Sequence, residues 1–284
     1  HIAVQRSRRL VDAAHENLDA HRRFTRLAND RASGGVGDAT EVELAGVHEG
    51  EAHSSLADAR GALRNALSVY YTRVGLEPKA LAEIPELPLD LLKQGNVAAA
   101  TLNAPAVVAA RARQEAARNA ASMERAGLLP KLSAEAYIRG RDIDDPATGV
   151  GLRVTGPTVK GLRNCNRVEA AELEAASAKW AAEAARREAT IRVDELVDRE
   201  PTLRSRIRIL REQLENARSL RDLYEDQFKI GTRSVADLVN VQADVFRIEN
   251  GLINARYDIV SLQYSAAAAL GHLMSSLQVN LEGR

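Results

Sequence analysis

The spacing of hydrophobic positions changes several times along this chain. From about Ile2 to Gly75 it has helical period, broken at Ala32–Asp38 by ASGGVGD, where Gly34, Gly35 and Gly37 stop one helix before a second starts. That predicts a helical hairpin over residues 1–76. Residues 77–90 form a linker in which Pro78, Pro85 and Pro88 forbid a continuous helix. Helix resumes over residues 91–129, interrupted near Pro105. At Pro130 the period falls to two: Leu132, Ala134, Ala136 and Ile138 share one face, and Lys131, Ser133, Glu135 and Tyr137 the other. After the polar turn RGRDIDDPATG, Val150, Leu152 and Val154 alternate with Gly151, Arg153 and Thr155, so residues 130–157 read as a β-hairpin with one apolar face.

From about Val159 to Phe228 the chain is helical again, with a kink expected at Pro201. IGTRS ends that helix, and a last one covers about Val235 to Met274; together they make a second long hairpin over residues 158–274, before a tail at 275–284. In the last helix Leu238, Val241, Val245, Ile248, Leu252, Ala255, Ile259, Leu262, Ala266, Ala269 and Leu273 are apolar at alternating steps of three and four. That is a coiled-coil seam. The fold class is therefore mainly α: long antiparallel coiled-coil hairpins with one short β-hairpin.

The two hairpins are copies of each other. Moving the first by 196 positions places Gly35 on Gly231, Glu41 on Asp237, Leu56 on Leu252, Ala59-Arg60 on Ala255-Arg256 and Gly75 on Gly271, without a gap. Agreement in register over forty residues marks an internal duplication. The second copy carries a β-hairpin ahead of its long helix. The same register would put the first copy's β-hairpin before His1, so the chain reads as a fragment lacking it.

Composition narrows the function. Aromatics are 4% of residues, which suits long helices better than a compact core. Lys+Arg and Asp+Glu are both 39, so no net field draws the chain to nucleic acid. The basic stretches Arg6–Arg9 and Arg204–Arg211 read as solvated helix faces. Cys165 is the one cysteine, which excludes an intrachain disulfide and a multi-cysteine metal site; it reads as a small packing residue. No run of eighteen apolar residues encodes a membrane helix, so any span would need closed β-structure. In HEGEAH, His48 and His53 are five apart rather than four, and they diverge around a helix instead of sharing a metal. GGVGD lacks the Lys-Ser/Thr of a phosphate loop. Trp180 reads as a seam or interface anchor. No cofactor is implied, and no constellation supports an enzyme.

The segment YEDQFKIGTRSVADLVNVQADVFRIENGLINARYDIVSLQYSAAAALGHL resembles the terminal hairpin of TolC-type outer-membrane channels, through GTRS, Asp237, NARYD at Asn254–Asp258 and ALG at Ala269–Gly271. RAGLLPKLS, Arg125 to Ser133, is similar to the family's approach to its second β-hairpin, and GVGDATEVELA and ADARGALRNA carry the likeness in the first half. The resemblance implies a homotrimer in the outer membrane of a Gram-negative bacterium. Strands of each subunit would join a closed transmembrane barrel, and its helices a periplasmic α-barrel. It implies an exit duct for type I secretion or multidrug efflux. The partners would be a periplasmic adaptor, an inner-membrane ABC or proton-driven transporter, and outer-membrane lipid.

The resemblance also places a gate at the hairpin tips. Thr40 and Glu41 would face Arg233, Asp237 would form a narrowing acidic ring, and the ring's second acid falls on Asn240. The network's tyrosine falls on Phe228, which has no hydroxyl. A second reading makes Glu41 and Asp237 simple first-turn acids at helix N-termini. The tips Gly35, Val36, Gly37 and Gly231, Thr232, Ser234 would meet the adaptor. Gly46, Gly50 and Glu49 depart from the pattern by weakening the first hairpin's return helix. Two strands per chain would also leave a trimer short of the roughly eight of the smallest single-chain barrels. The rival reading, a periplasmic adaptor with one coiled-coil hairpin on a β-domain, does not account for the duplication.

Overall fold

The computed structural model describes residues 1–35, 37–78, 81, 84–85, 87, 97–140, 146–156 and 163–273. Its elements in chain order are α1 (Ile2–Ser33), α2 (Ala39–Val74), a single turn α3 (Val97–Ala100) running into a 3₁₀ turn (Thr101–Asn103), α4 (Pro105–Ala126), β1 (Lys131–Gly140), β2 (Pro146–Thr155), α5 (Arg163–Lys229) and α6 (Val235–Ala269). The chain divides into two compact units, one of residues 1–93 with 195–268 and one of residues 94–194 with 269–284.

In the first unit the two hairpins stand side by side. Ala20, Phe24 and Ala28 of α1, Ala45 of α2, Phe228 of α5 and Val235, Leu238 and Val239 of α6 form one buried cluster, with both turns at its end. A second cluster joins Ala14 and Leu18 to Ala52 and Leu56, and a third joins Leu214 to Val245, Ile248 and Leu252. The seam of α6 buries Leu238, Val241, Val245, Ile248, Leu252, Ala255, Ile259, Leu262 and Ala266, as the three-four spacing requires. Two polar residues share it: the amide of Gln242 donates to Asn17 of α1 at 2.9 Å, and the Gln263 side chain accepts from the Leu87 amide at 3.2 Å. In α2 only Ala45, Ala52 and Leu56 are buried: Gly46 and Gly50 are exposed, with open space where a side chain would begin, and Glu49 stands where the seam would continue.

The duplication is written in the backbone. Among the described residues, the glycines with positive φ are Gly35, Gly75, Gly231 and Gly271, at 75°, 76°, 83° and 76°. They are the two register-related pairs. Gly75 ends α2 by donating to the Tyr71 carbonyl at 2.8 Å, an αL cap that an L side chain would strain. The last helix stops at Ala269 rather than near Met274 because the same left-handed glycine follows it.

In the second unit α4 is tied to the start of α5 by Arg125–Glu172 at 2.7 Å and Arg167–Glu124 at 2.8 Å. Farther along, the Thr101 and Thr190 hydroxyls are 3.2 Å apart. β1 pairs antiparallel with β2 from Lys131 opposite Thr155 to Gly140 opposite Pro146. The strands are longer than the alternation implied: Arg139–Gly140 and Pro146–Gly149 belong to the ladder, not to the turn. Pairing carries a polar segment into the sheet, and Pro146 is tolerated as a first strand residue. One face carries Leu132, Val150, Leu152 and Val154, all exposed; the other carries Glu135 and Arg153 in a 2.7 Å ion pair.

Three readings of single residues need correction. Cys165 is exposed, not packed. Trp180 is 66% exposed beside Lys179, which removes the seam within the chain and leaves the interface anchor as the reading for it. Arg6 is not a solvated charge, since it reaches Asp258 of α6 at 2.6 Å. The stretch 88–96, where helix was expected to resume, lies outside the described residues until Val97.

The helix α5 runs unbroken through Pro201, although proline removes the donor to the Val197 carbonyl. Pro201→Ala should therefore raise the thermal unfolding midpoint, by an amount corresponding to about 1–3 kcal/mol, as followed by circular dichroism at 222 nm.

Candidate functional site: the paired hairpin tips

The first tip is built from glycine and a cap. At Gly37 a Cβ would come within 2.8 Å of the Ala32 amide nitrogen, so only glycine fits where the chain folds back over the end of α1. Its amide donates to the Arg31 carbonyl at 3.0 Å. Asp38 caps α2 by accepting from the Thr40 amide at 3.1 Å. Thr40 is exposed, and Val36 lies outside the described residues.

The second tip is a different solution to the same turn. Gly231 donates to the Phe228 carbonyl, and Thr232 closes on the Gln227 carbonyl with both its amide and its hydroxyl, each at 3.0 Å. Ser234 and Asp237 then cap one another. The Asp237 carboxylate accepts from the Ser234 amide at 3.1 Å and from its hydroxyl at 2.9 Å, and the Ser234 oxygen accepts from the Asp237 amide at 3.3 Å. This is a capping box with aspartate in the usual glutamate place. The Ser234 amide and hydroxyl, helped by Arg233, hold the Asp237 carboxyl below the usual aspartate value, so it stays ionised into acid.

Arg31 joins the tips. Its guanidinium lies 4.4 Å from the centre of the Phe228 ring, 3.7 Å from the Glu41 carboxylate and 3.5 Å from the Arg233 carbonyl. Phe228, fully buried, thus meets a cation through its face rather than a partner through a hydroxyl. Arg233 is occupied on its own tip: it donates to the Gln227 side chain at 3.1 Å, stacks 4.2 Å over Tyr224, and lies 3.8 Å from Asp237. The structure therefore pairs Glu41 with Arg31 and places Arg233 against Asp237; Glu41 and Arg233 are not bonded to each other within the chain. Asn240 is exposed on α6.

A groove of about 360 Å³ runs between the tips, lined by Leu27, Asp30, Arg31, Phe228, Ile230 and Gly231 among others, with Ile230 76% exposed. Nothing along α1 distinguishes Arg31 from the arginines at 22, 23 and 26. The one available signal was the repeat, which places Arg31 on Gln227, the residue that organises the second tip.

A duplicated α-hairpin with both turns at one end, joined to an amphipathic β-hairpin, is the fold of the TolC-like α-barrel channels. Residues 96–272 match the outer membrane efflux protein family, and the chain belongs to that family. It is 23% identical to the outer membrane efflux protein BepC of Brucella suis biovar 1, over 99% of this chain and 63% of that protein. It is 24% identical to the outer membrane protein TolC of Vibrio cholerae serotype O1, over 78% of this chain and 53% of that protein. The chain thus spans about half to two thirds of the length of these relatives. Among solved structures, the outer membrane protein VceC of Vibrio cholerae superposes with a TM-score of 0.82 at 18% identity, over 95% of this chain and 67% of that one, a likeness of fold.

Ser234→Ala and Asp237→Ala should each cost about 1 kcal/mol. The double variant should cost less than their sum, since both remove one capping box. Amide exchange at residues 235–238 measures this directly; full additivity would mean that the two side chains act separately.

Proposed function

We propose that this chain is part of an outer-membrane exit duct of a tripartite type I secretion or multidrug efflux system. Substrate passes from the periplasmic side to the outside through a trimeric channel. The observation that carries the reading is the pair of register-related hairpins lying side by side with their tips at one end. The exposed apolar face of the β-hairpin supports it: Leu132, Val150, Leu152 and Val154 would meet outer-membrane lipid, leaving Glu135 and Arg153 to water. Residues 1–76 and 158–274 are the two α-hairpins of the periplasmic barrel, 77–90 a linker, 91–129 the connecting helices, 130–157 the membrane strands and 275–284 a tail. The family is one of channels rather than enzymes.

The tips are read as gate and docking site together. Thr40, Glu41, Phe228, Arg233, Asp237 and Asn240 form the constriction, and Arg31 joins them as the residue that holds Glu41. Three copies of Asp237 around an axis concentrate negative charge and favour cations. The adaptor meets Gly35, Val36, Gly37, Gly231, Thr232 and Ser234, with the groove beside Ile230 as its apolar foothold. The transporter behind the adaptor is an ABC or a proton-driven pump of the inner membrane. Nucleic acid is no partner.

The full-length protein should fractionate with outer membranes and run as a heat-labile trimer on gels. Recovery as a soluble periplasmic monomer would overturn the reading. In planar bilayers, Glu41→Ala with Arg233→Ser should raise single-channel conductance, and so should Arg31→Ala. Unchanged conductance would remove these residues from the gate.

A further inference from the structure

Four of the chain's six histidines, His15, His21, His48 and His53, lie on the α1–α2 hairpin. None recurs in the second copy, where the same register brings Arg211, Ala217, Asp244 and Glu249. Two of them meet in the helix–helix contact. His21, 5% exposed, stacks on His48 with ring centres 6.1 Å apart and planes 21° from parallel, and its edge faces Phe24 at 6.0 Å. The Nδ1 of His21 is buried without a hydrogen-bond partner. A neutral ring tolerates that place far better than a cation, which would bury a charged donor with no acceptor.

The charged groups around the stack are already engaged. On α2, His48 is bonded to Glu51 at 2.8 Å, and Glu49 lies 3.7 Å from Arg22 of α1. Arg22 also approaches Asp19 at 3.6 Å and donates to His53 at 3.3 Å, while His15 holds Asp19 from the turn below. To this stretch of α1, α6 brings the neutral Gln242, held by Asn17, and α5 brings Arg218, paired with Glu249 and 4.0 Å from Glu16. Burial first, then the charge of His48, pushes His21 from 6.5 down to about 4, against the weaker opposing pull of Glu51 and Glu49.

We infer that the His21–His48 stack is an acid-released staple. With His21 neutral, it closes α1 on α2; with His21 protonated, a buried cation without an acceptor is left beside His48 and the middle of the first hairpin loosens, while the α5–α6 hairpin, which lacks the stack, keeps its packing. A base held below its unfolded value takes up protons more readily once freed, so the stabilisation is complete above about pH 6.5 and is lost as the pH falls toward about 4. The inference rests on the packing of this hairpin and stands whether or not the chain lines a duct.

Hydrogen–deuterium exchange of the full-length protein at about pH 7.5 and about pH 4.5, corrected for intrinsic exchange, tests it. Peptides covering residues 14–28 and 45–56 should lose protection at the lower pH by about tenfold or more, with no matching loss at residues 207–217 and 245–252, where burial holds the Glu249 carboxyl above its usual value. His21→Leu should abolish the loss. His48→Gln, at a partly exposed position, should shrink it, because removing the neighbouring charge lets His21 return toward its ordinary value. Protection that does not change with pH, a loss shared equally by α5 and α6, or a His48→Gln protein indistinguishable from wild type would each overturn the inference. If His21→Leu fails to fold, the His48→Gln comparison decides.

Discussion

The seam along α6 is what the first unit depends on. Its buried positions are mostly Val, Leu, Ile and Ala, and each contributes a modest area, so no single anchor holds the hairpins together. At about 25 cal/mol per Å² the stabilisation is spread over many small contacts. Such an interface specifies proximity better than register, since sliding by one heptad exchanges one aliphatic for another. The buried amides remove that freedom. Gln242 finds Asn17, and Gln263 finds the Leu87 amide, only in one alignment; any other would leave amides buried and unpaired. The Gln242 oxygen already lacks a partner, which is the local cost of that specificity.

The two hairpins share a backbone plan and diverge in what fills it. In the second, Val245 completes the row of Val241, Ile248 and Leu252. In the first, the equivalent place holds Glu49, drawn outward to Arg22, and the equivalent of Asp244 is His48, turned inward onto His21. Gly46 and Gly50 each cost α2 roughly 1 kcal/mol of helix propensity relative to alanine. The first hairpin thus pairs an aliphatic contact at Leu18 and Leu56 with a polar, titratable one a turn away. Elements that must move are drawn from the less stable part of a structure, and by this measure α2 is the weaker of the two return helices.

Most of the fold was legible because it is periodic. Steps of three and four gave α6 and its buried face residue by residue as far as Ala266, alternation gave both strands and their apolar side, and the repeat located all four left-handed glycines. Where reading failed, the information was not periodic. The strands extend past the alternating residues because partner hydrogen bonds, not side chains, carry them to Gly140 and Pro146. Arg6 and Arg31 look like any helix-surface arginine, yet each crosses to a residue more than two hundred positions away. The exposure of Cys165 and Trp180 likewise depends on neighbours that spacing along one helix does not specify. At the tips, spacing along one helix does not specify which side chains meet: within the chain Glu41 is met by Arg31 from its own hairpin.

If the tips form the proposed gate, these partners bear on how strongly it can be held shut. Arg31 divides its guanidinium among an aromatic face, a carboxylate and a carbonyl, and Arg233 divides its own among Tyr224, Gln227 and Asp237. Both arginines are satisfied before any neighbouring subunit arrives. A bond between subunits would therefore exchange one partner for another, and for partly exposed ion pairs the gain is within about 0–1 kcal/mol. In the proposed trimer, three such links around an axis would still add up to a closed state, while each alone would remain within reach of a docking partner that offers a competing carboxylate or carbonyl. Phe228 sharpens the point. A tyrosine there would supply one more directional link, whereas phenylalanine gives Arg31 only a face to slide on, so the proposed gate would lean on charge and would weaken as salt screens it.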